Sequence, residues 1–307
     1  MKKLQWMILI ALVVVFGMLL NIKDEEKVEQ NVAGEKVEQT DQVDITFLDI
    51  GQGDATFIEF PDGQQMLIDC SIDGRVLEAL GRVMDFYDKT IDYLVVTHPD
   101  LDHYGGCQDV LERFEIKNVW YTGVDKSYDN QWKAWWYAVG DEGTTYRDIT
   151  GEEAVEIAGV QLHILYPDHD VGIDPRIPGT QKEPNGNNTS IVMRLDYGES
   201  SVLLPGDAEE EVEEYLLSAY ESDILDVDIL KLGHHGSDSS SILEFIEAVS
   251  PEHAIASCGY ENKFGHPSRR VLKRLERTSS TVWRTDLQGD ISVELRSSDF
   301  SIISFVE

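Results

Sequence analysis

From residue 44 onward, apolar and polar positions alternate at the period of a β-strand. Ile45-Thr46-Phe47-Leu48 runs into Gly51-Gln52-Gly53-Asp54, Ala55–Phe60 returns, and Pro61-Asp62-Gly63 turns into Met66-Leu67-Ile68-Asp69. Period-2 runs joined by Gly- and Pro-bearing turns predict an antiparallel meander. Further on, short apolar runs alternate with amphipathic stretches. Strands are expected at Tyr93–Thr97, Asn118–Tyr121, Val160–Tyr166, Ser190–Leu195, Ser201–Leu204, Ile229–Leu232 and Ala254–Ser257. Helices are expected at Arg75–Tyr87, Cys107–Phe114, Ala208–Tyr220, Ser240–Val249 and Ser268–Glu276. Strands interleaved with helices predict a layered α/β domain, and no internal repeat or second linker divides 44–307.

The pattern differs before that domain. Lys2-Lys3 precede Leu4–Leu20, an apolar run broken only by Gln5 and Gly17. As a helix at about 1.5 Å per residue it would span roughly 25 Å, slightly short of a bilayer core. Residues 1–22 are therefore expected to be a signal peptide or signal anchor. Met18-Leu19-Leu20-Asn21-Ile22 offers no small-x-small cleavage site, which favours the anchor. The lysines would then be cytoplasmic and the rest extracytoplasmic, membrane-anchored or secreted. Residues 23–43 are polar and without periodicity, a flexible acidic linker.

Composition changes this picture in two ways. The 307 residues carry a net charge of −33, of which residues 1–22 hold +2 and residues 23–44 hold −5, leaving −30 for 45–307. The acidity thus belongs to the domain. It argues against coating nucleic acid non-specifically, which needs Lys and Arg, but not against attacking a phosphodiester through bound metal. The cysteines Cys70, Cys107 and Cys258 exclude a disulfide scaffold, allow one bridge at most, and lack zinc-finger spacing. Cys70 and Cys107 read as small buried residues.

The chemistry gathers where apolar strands end. Tyr93–Thr97 leads to His98-Pro99-Asp100-Leu101-Asp102-His103-Tyr104-Gly105-Gly106. Val202–Leu204 leads to Pro205-Gly206-Asp207, Ile229–Leu232 to Gly233-His234-His235-Gly236-Ser237, and Ala254–Ser257, a little later, to Phe264-Gly265-His266-Pro267. Layered α/β proteins place ligands at the carboxyl ends of strands. Imidazole and carboxylate are ligands of zinc, manganese and iron. His98, Asp100, Asp102 and His103 put four potential ligands within six residues, enough for one short loop to seed a pair of ions.

These blocks, with Phe47–Ala55, Asn187-Asn188-Thr189-Ser190 and Gly265-His266-Pro267-Ser268, resemble the metallo-β-lactamase fold. Within it they resemble the extracellular hydrolase domain of ComEC-type DNA-internalisation competence proteins, in the same order across 44–307. The Asp100 position is usually His in that fold. The competence protein's membrane channel has no counterpart, so DNA transport is not implied. The resemblance implies a four-layer αβ/βα sandwich with two divalent ions between the sheets, zinc first and manganese as the competitor once Asp replaces His. It implies that His98 and Asp100 hold one ion, that Asp102, His103 and His266 hold the other, and that Asp207 bridges both. The usual third histidine is missing, and one of His234 and His235 is expected to supply that ligand while the other contacts substrate. Asp102, Asp207 and His235 are the catalytic candidates. Asp69, ending a strand, is expected to orient a ligand histidine. Asp54 and Asn188 are expected pocket residues, with an ordinary turn role as the alternative for each.

The implied reaction is attack by a hydroxide shared between the two ions. Ser237 reads as structural. Arg269, Arg270, Lys273, Arg274 and Arg277 form the main basic cluster; as a functional feature, Arg270 and Arg274 would dock phosphate beside the metals, and as a bland one the cluster is a solvated face. Trp132, Trp135 and Trp136, at helical spacing, would stack on bases or pack as core. The run Glu209–Glu214 reads as a solvated helix face. A phosphodiesterase of nuclease type follows, acting on single-stranded DNA or a cell-envelope polymer. The alternatives are a phosphorylcholine esterase and a non-nuclease binding or lactone-hydrolysing member. No protein partner is implied.

Overall fold

Val43, Ile45 and Phe47 lie on one side of the first strand and are fully buried, as the alternation requires. The computed structural model describes residues 40–141 and 143–305. The segment expected at 1–22, and most of the linker at 23–43, lie outside the described residues. Among the described residues no helix is long and apolar enough to cross a membrane.

The expected meander is present as β1 (Gln42–Phe47), β2 (Thr56–Glu59) and β3 (Gln65–Ile68), all paired antiparallel. β4 (Thr90–Val96), β5 (Glu115–Tyr121) and β6 (Thr145–Asp148) continue that sheet in parallel. The chain then builds a second sheet. Its antiparallel part is β7 (Glu153–Ile157), β8 (Val160–Tyr166), β9 (Val192–Tyr197) and β10 (Ser200–Leu204). Its parallel part adds β11 (Ile229–Lys231), β12 (His253–Ala256) and β13 (Thr281–Arg284). Finally β14 (Asp290–Arg296) and β15 (Phe300–Phe305) return to the first sheet, β14 pairing with β1. Among the described residues the sheets have eight and seven strands.

Three apolar clusters make the layers. Val43, Ile45, Phe47, Ile58, Val95, Leu195, Val202 and Ile229 pack between the sheets. The outer side of the first sheet is covered by α1 (Arg75–Val83), α3 (Cys107–Arg113) and α4 (Asn130–Asp141), with the short α2 (Leu101–Tyr104) at its end. The outer side of the second sheet is covered by α5 (Glu210–Ala219), α6 (Ser222–Leu225), α7 (Leu243–Val249) and α8 (Arg269–Thr278). This is the expected four-layer α/β arrangement.

Three expectations change, and one open choice is settled. The helix expected to reach Tyr87 stops at Val83, because the Asp85 carboxylate accepts the Tyr87 N–H in a turn that competes with helix. Of the two roles open to the tryptophans, Trp132 and Trp135 take core packing: both are buried in the outer core of the first sheet. Cys70 and Cys107 are buried but joined, with Cα atoms 5.1 Å apart, tying the end of β3 to the start of α3. The acidic run is not a solvated face: Glu213 is buried and its carboxylate accepts the backbone N–H groups of Ser241 and Ile242.

Candidate metal centre

The strand ends bring the chemistry together at one mouth between the sheets. His98 and His103 are fully buried, their rings 4.1 Å apart. His103 Nδ1 lies 2.7 Å from Asp69 Oδ2, and its Nε2 faces Asp207 Oδ2 at 3.2 Å. Asp69 also accepts the backbone N–H and the hydroxyl of Thr97, so the carboxylate is fixed from three directions. His235 donates from Nδ1 to the Ser257 carbonyl at 3.0 Å; a carbonyl only accepts, so Nδ1 keeps its proton and Nε2 is the nitrogen left to face a cation once its own proton has gone. That Nε2 stands 3.4 Å from both Asp102 Oδ2 and Asp207 Oδ2.

Backbone geometry holds these groups in place. His234 and His235 have φ of 46° and 56°, left-handed for two consecutive bulky residues, which costs roughly 1–3 kcal/mol each. Gly53, at φ 123°, lets the first turn press on the ligand loop: a Cβ there would meet the Asp102 carbonyl oxygen at 2.5 Å. The Asp54 N–H donates to that same carbonyl.

The electrostatics are those of groups prepared for a cation. Burial alone would raise Asp207, but His103, His235 and His98 overcome it and hold the carboxyl well below its usual range. Burial would likewise raise Asp102, and His235 and His103 hold it down. Burial would lower His235, but Asp207 and Asp54 push it up to about 10. His98 and His266 go the other way: burial, then neighbouring histidines, pull each down to about 4, leaving neutral imidazoles. Buried His98 Nε2, His103 Nε2, His235 Nε2 and Asp207 Oδ1 lack a hydrogen-bond partner. One such atom ordinarily costs about 1–3 kcal/mol. His103, His235 and Asp207 offer ligand atoms within 4.8 Å of one another, a donor set that a divalent cation satisfies at once, so the residues present fit a metal.

The other expected site residues lie as follows. Of the two adjacent histidines, His235 is the buried one against Asp207. His234 is partly exposed, its Nε2 3.9 Å from Asp207 and its Nδ1 3.1 Å from Glu209 Oε1. His266 stands further out, its ring 6.2 Å from that of His235 and 5.5 Å from that of His234. Asp100 is at the rim, 3.3 Å from Lys126 Nζ. Asp54 is buried at the back of the site, where it is paired with Lys231. Asn188 and Arg274, each open to a substrate role or a plainer one, bind the protein itself. Asn188 accepts the Glu209 N–H and donates to Glu211, tying down the start of α5. Arg274 donates to the carbonyls of Ser240 and Ser241, which turns its guanidinium to the protein; Arg270 is exposed, 3.4 Å from Asp238.

Three residues at the site escaped the sequence. Lys231 is buried at 3% exposure, which an Ile-Leu-Lys-Leu run does not announce. Glu209 and Asn187 both face His234, Asn187 Nδ2 at 3.3 Å from its Nδ1. The Asn187-Asn188 pair is the readable signal, and Asn187 is the member that faces His234.

A model of the metallo-beta-lactamase superfamily matches residues 48–260. The chain belongs to the metallo-beta-lactamase superfamily. Its curated relatives within reach include "ComE operon protein 3" of Bacillus subtilis, 29% identical over 280 residues, covering 83% of this chain and 33% of that one. "Competence protein ComA" of Neisseria gonorrhoeae is 30% identical, covering 82% of this chain and 32% of that one. "Recombination protein 2" of Haemophilus influenzae is 30% identical, covering 82% and 28%. The chain therefore spans about a third of the length of these relatives. Among solved structures, "CmlA, a diiron beta-hydroxylase from Streptomyces venezuelae" aligns over 84% of this chain and 54% of its own, at TM-score 0.50 and 14% identity, a likeness of fold alone. The competence-type resemblance drawn from the motifs is thus shown, and the metallo-beta-lactamase strand ends carry the candidate metal cluster, in which His103, Asp207 and His235 have Asp54 as a fourth neighbour.

Proposed function

We propose that this metallo-beta-lactamase domain is an extracytoplasmic, two-metal phosphodiesterase of nuclease type. The observation that carries it is the convergence of the unpartnered, buried His103 and His235 Nε2 atoms on the Asp207 carboxylate, with the buried His98 ring packed against His103. Relatives named for competence and recombination favour a nucleic-acid phosphodiester as substrate. The Cys70–Cys107 disulfide favours an oxidising compartment, as does the apolar Leu4–Leu20 run.

His103, Asp102, His235 and Asp207 would hold one ion, and His98 and Asp100 a second that shares Asp207. Zinc or manganese ions bound there supply Lewis acidity and lower the pKa of water. The chain's own residues do the rest. Asp69 and the Ser257 carbonyl fix the His103 and His235 rings through Nδ1, so each presents Nε2. His234, partly exposed at the mouth and held by Glu209, is placed to give a proton from Nε2 to the leaving oxygen. Burial would raise Glu209, but His234 and the hydroxyl and amide groups around it hold it down at about 2, so it stays an ionised partner for that ring.

The test is metal analysis together with turnover of single-stranded DNA, bis-(p-nitrophenyl) phosphate and p-nitrophenyl phosphorylcholine. About two ions per chain are expected, with loss of turnover by roughly 10³-fold or more in Asp207→Ala. Turnover of the phosphorylcholine ester alone would move the substrate to a cell-envelope polymer. A pure protein without metal, inactive under added zinc and manganese, would overturn the proposal.

A further inference from the structure

Lys231 has no part in the chemistry just described, yet it is the most deeply buried lysine at the site. β11 lies between β10 and β12, inside the parallel part of the second sheet. Ile229 of that strand faces the inter-sheet core, so Lys231, two residues on, points the same way. It lines a small cavity together with the apolar side chains of Ile68, Val95, Ile191, Met193 and Leu204. An ammonium brought into such surroundings must be paired, because the uncompensated charge costs several kcal/mol.

All three of its protons are used. Nζ pairs with Asp54, donates to the Gly206 carbonyl at 3.1 Å, and donates to the Leu232 carbonyl at 3.3 Å. Asp207 Oδ1 is 4.0 Å away. Gly206 is the residue immediately before Asp207, and Leu232 lies in the turn that leads to His234 and His235. One cation therefore grips both turns that deliver ligands from the second sheet. Through Asp54 it also reaches the first sheet. Asp54 Oδ1 lies 3.4 Å from His235 Nδ1, and the Asp54 N–H binds the Asp102 carbonyl.

Asp54 has a second possible fate. Its carboxylate lies within 4.8 Å of ligand atoms on His103, Asp207 and His235, close enough to be counted as a fourth ligand. A carboxylate oxygen satisfied by an ammonium is not available to a metal without breaking that pair. We propose that Lys231 is a positioning residue that keeps Asp54 out of the metal coordination and makes it the brace between His235, the Asp207 turn and the Asp102 loop. The proposal rests on the metal-hydrolase reading of the site. It leaves Asp102, His103, His235 and Asp207 as the ligand set around that position, with Asp54 behind it.

The test uses the full chain with metal removed and re-added. Affinity for Mn²⁺ and Zn²⁺ is measured by chelator competition, and kcat and KM separately on bis-(p-nitrophenyl) phosphate. Asp54→Asn should leave metal affinity within about threefold of wild type, because no ligand is lost, and should lower kcat at least tenfold with KM nearly unchanged, because the brace is weakened. Lys231→Met should raise metal affinity about tenfold or more, as the freed Asp54 carboxylate turns to the ion. Lys231→Met with Asp54→Asn should return the affinity to the wild-type range while kcat stays low. An Asp54→Asn protein whose affinity falls tenfold or more, as for a lost ligand, overturns the proposal even where Lys231→Met fails to fold. A wild-type protein that takes up no metal overturns the hydrolase reading beneath it, which is a different result.

Discussion

Asp69 shows how one side chain decides the state of another. It stands at φ 61°, a left-handed position that Asn tolerates as well as Asp, so Asp69→Asn keeps the backbone while removing the charge. What changes is the partner of His103 Nδ1, 2.7 Å away. Metal affinity in that variant is expected to fall about 10–100-fold, as it does when a carboxylate behind a ligand histidine is lost. Chelator competition reads this directly, and an unchanged affinity would mean that Asp69 only supports Thr97. At this scale the sequence was legible wherever a residue type announces its chemistry. His98, Asp102, His103, Asp207 and His235 are ligand types in short Gly- or Pro-framed loops, and all five meet. Lys231 and Glu209 were not legible, since their roles arise from burial and from neighbours distant in sequence. Asn188 and Arg274 could be read either way for the same reason: a polar side chain beside a motif is as often tying down backbone as facing a substrate.

The element with the most to add is α5. The acidic run that leads into it anchors two turns: Glu209 holds His234 and Ser239, and Glu213 holds the Ser241 and Ile242 N–H groups. Burial pushes Glu213 up to about 8, against those N–H groups and Arg274, which favour its ionised form. Its ordinary value is 4.5. Between these pH values the unfolded chain has released the proton and the folded chain keeps it. Its contribution to stability is therefore full below about 4.5, falls as pH rises to about 8, and is flat beyond. Glu213→Gln removes that dependence. The stability difference between wild type and variant, from urea unfolding at pH 5.5, 7 and 8.5, should shrink with pH by up to a few kcal/mol. A difference that stays constant or grows would sink this account. Elements with clean periodicity were readable, including the β1–β3 meander and the strands that carry the ligand loops. β14 was readable in principle, since Ile291, Val293 and Leu295 alternate, but nothing local says that it crosses back to pair with β1. β6 and β7 are short and half-polar and gave little to read.

For the whole molecule, the two sheets close on each other through apolar contacts everywhere except at the mouth, where charge takes over. A ligand that binds the folded form alone stabilises it by RT ln(1 + [L]/Kd), about 4 kcal/mol at a thousandfold excess over Kd. For a domain of this size that corresponds to roughly 8–16 °C in Tm. Chelation should lower the midpoint of thermal unfolding by that order and re-addition of Mn²⁺ or Zn²⁺ should restore it. A midpoint indifferent to both would leave the candidate centre without a metal. The layered class was legible because the strand and helix periods alternate and the motifs follow a known order. The pairing of the two halves was not, because sheet order depends on contacts far apart in sequence.

The mouth is also a seam. His98, Asp102 and His103 come from the first sheet, and Asp207 and His235 from the second, more than a hundred positions later in the chain. A cation shared between them closes that long loop as a reversible cross-link, and closing a long loop removes much of the unfolded chain's freedom. Trace-metal supply would then govern how firmly the two halves of the molecule are stapled together, as well as how fast it turns over.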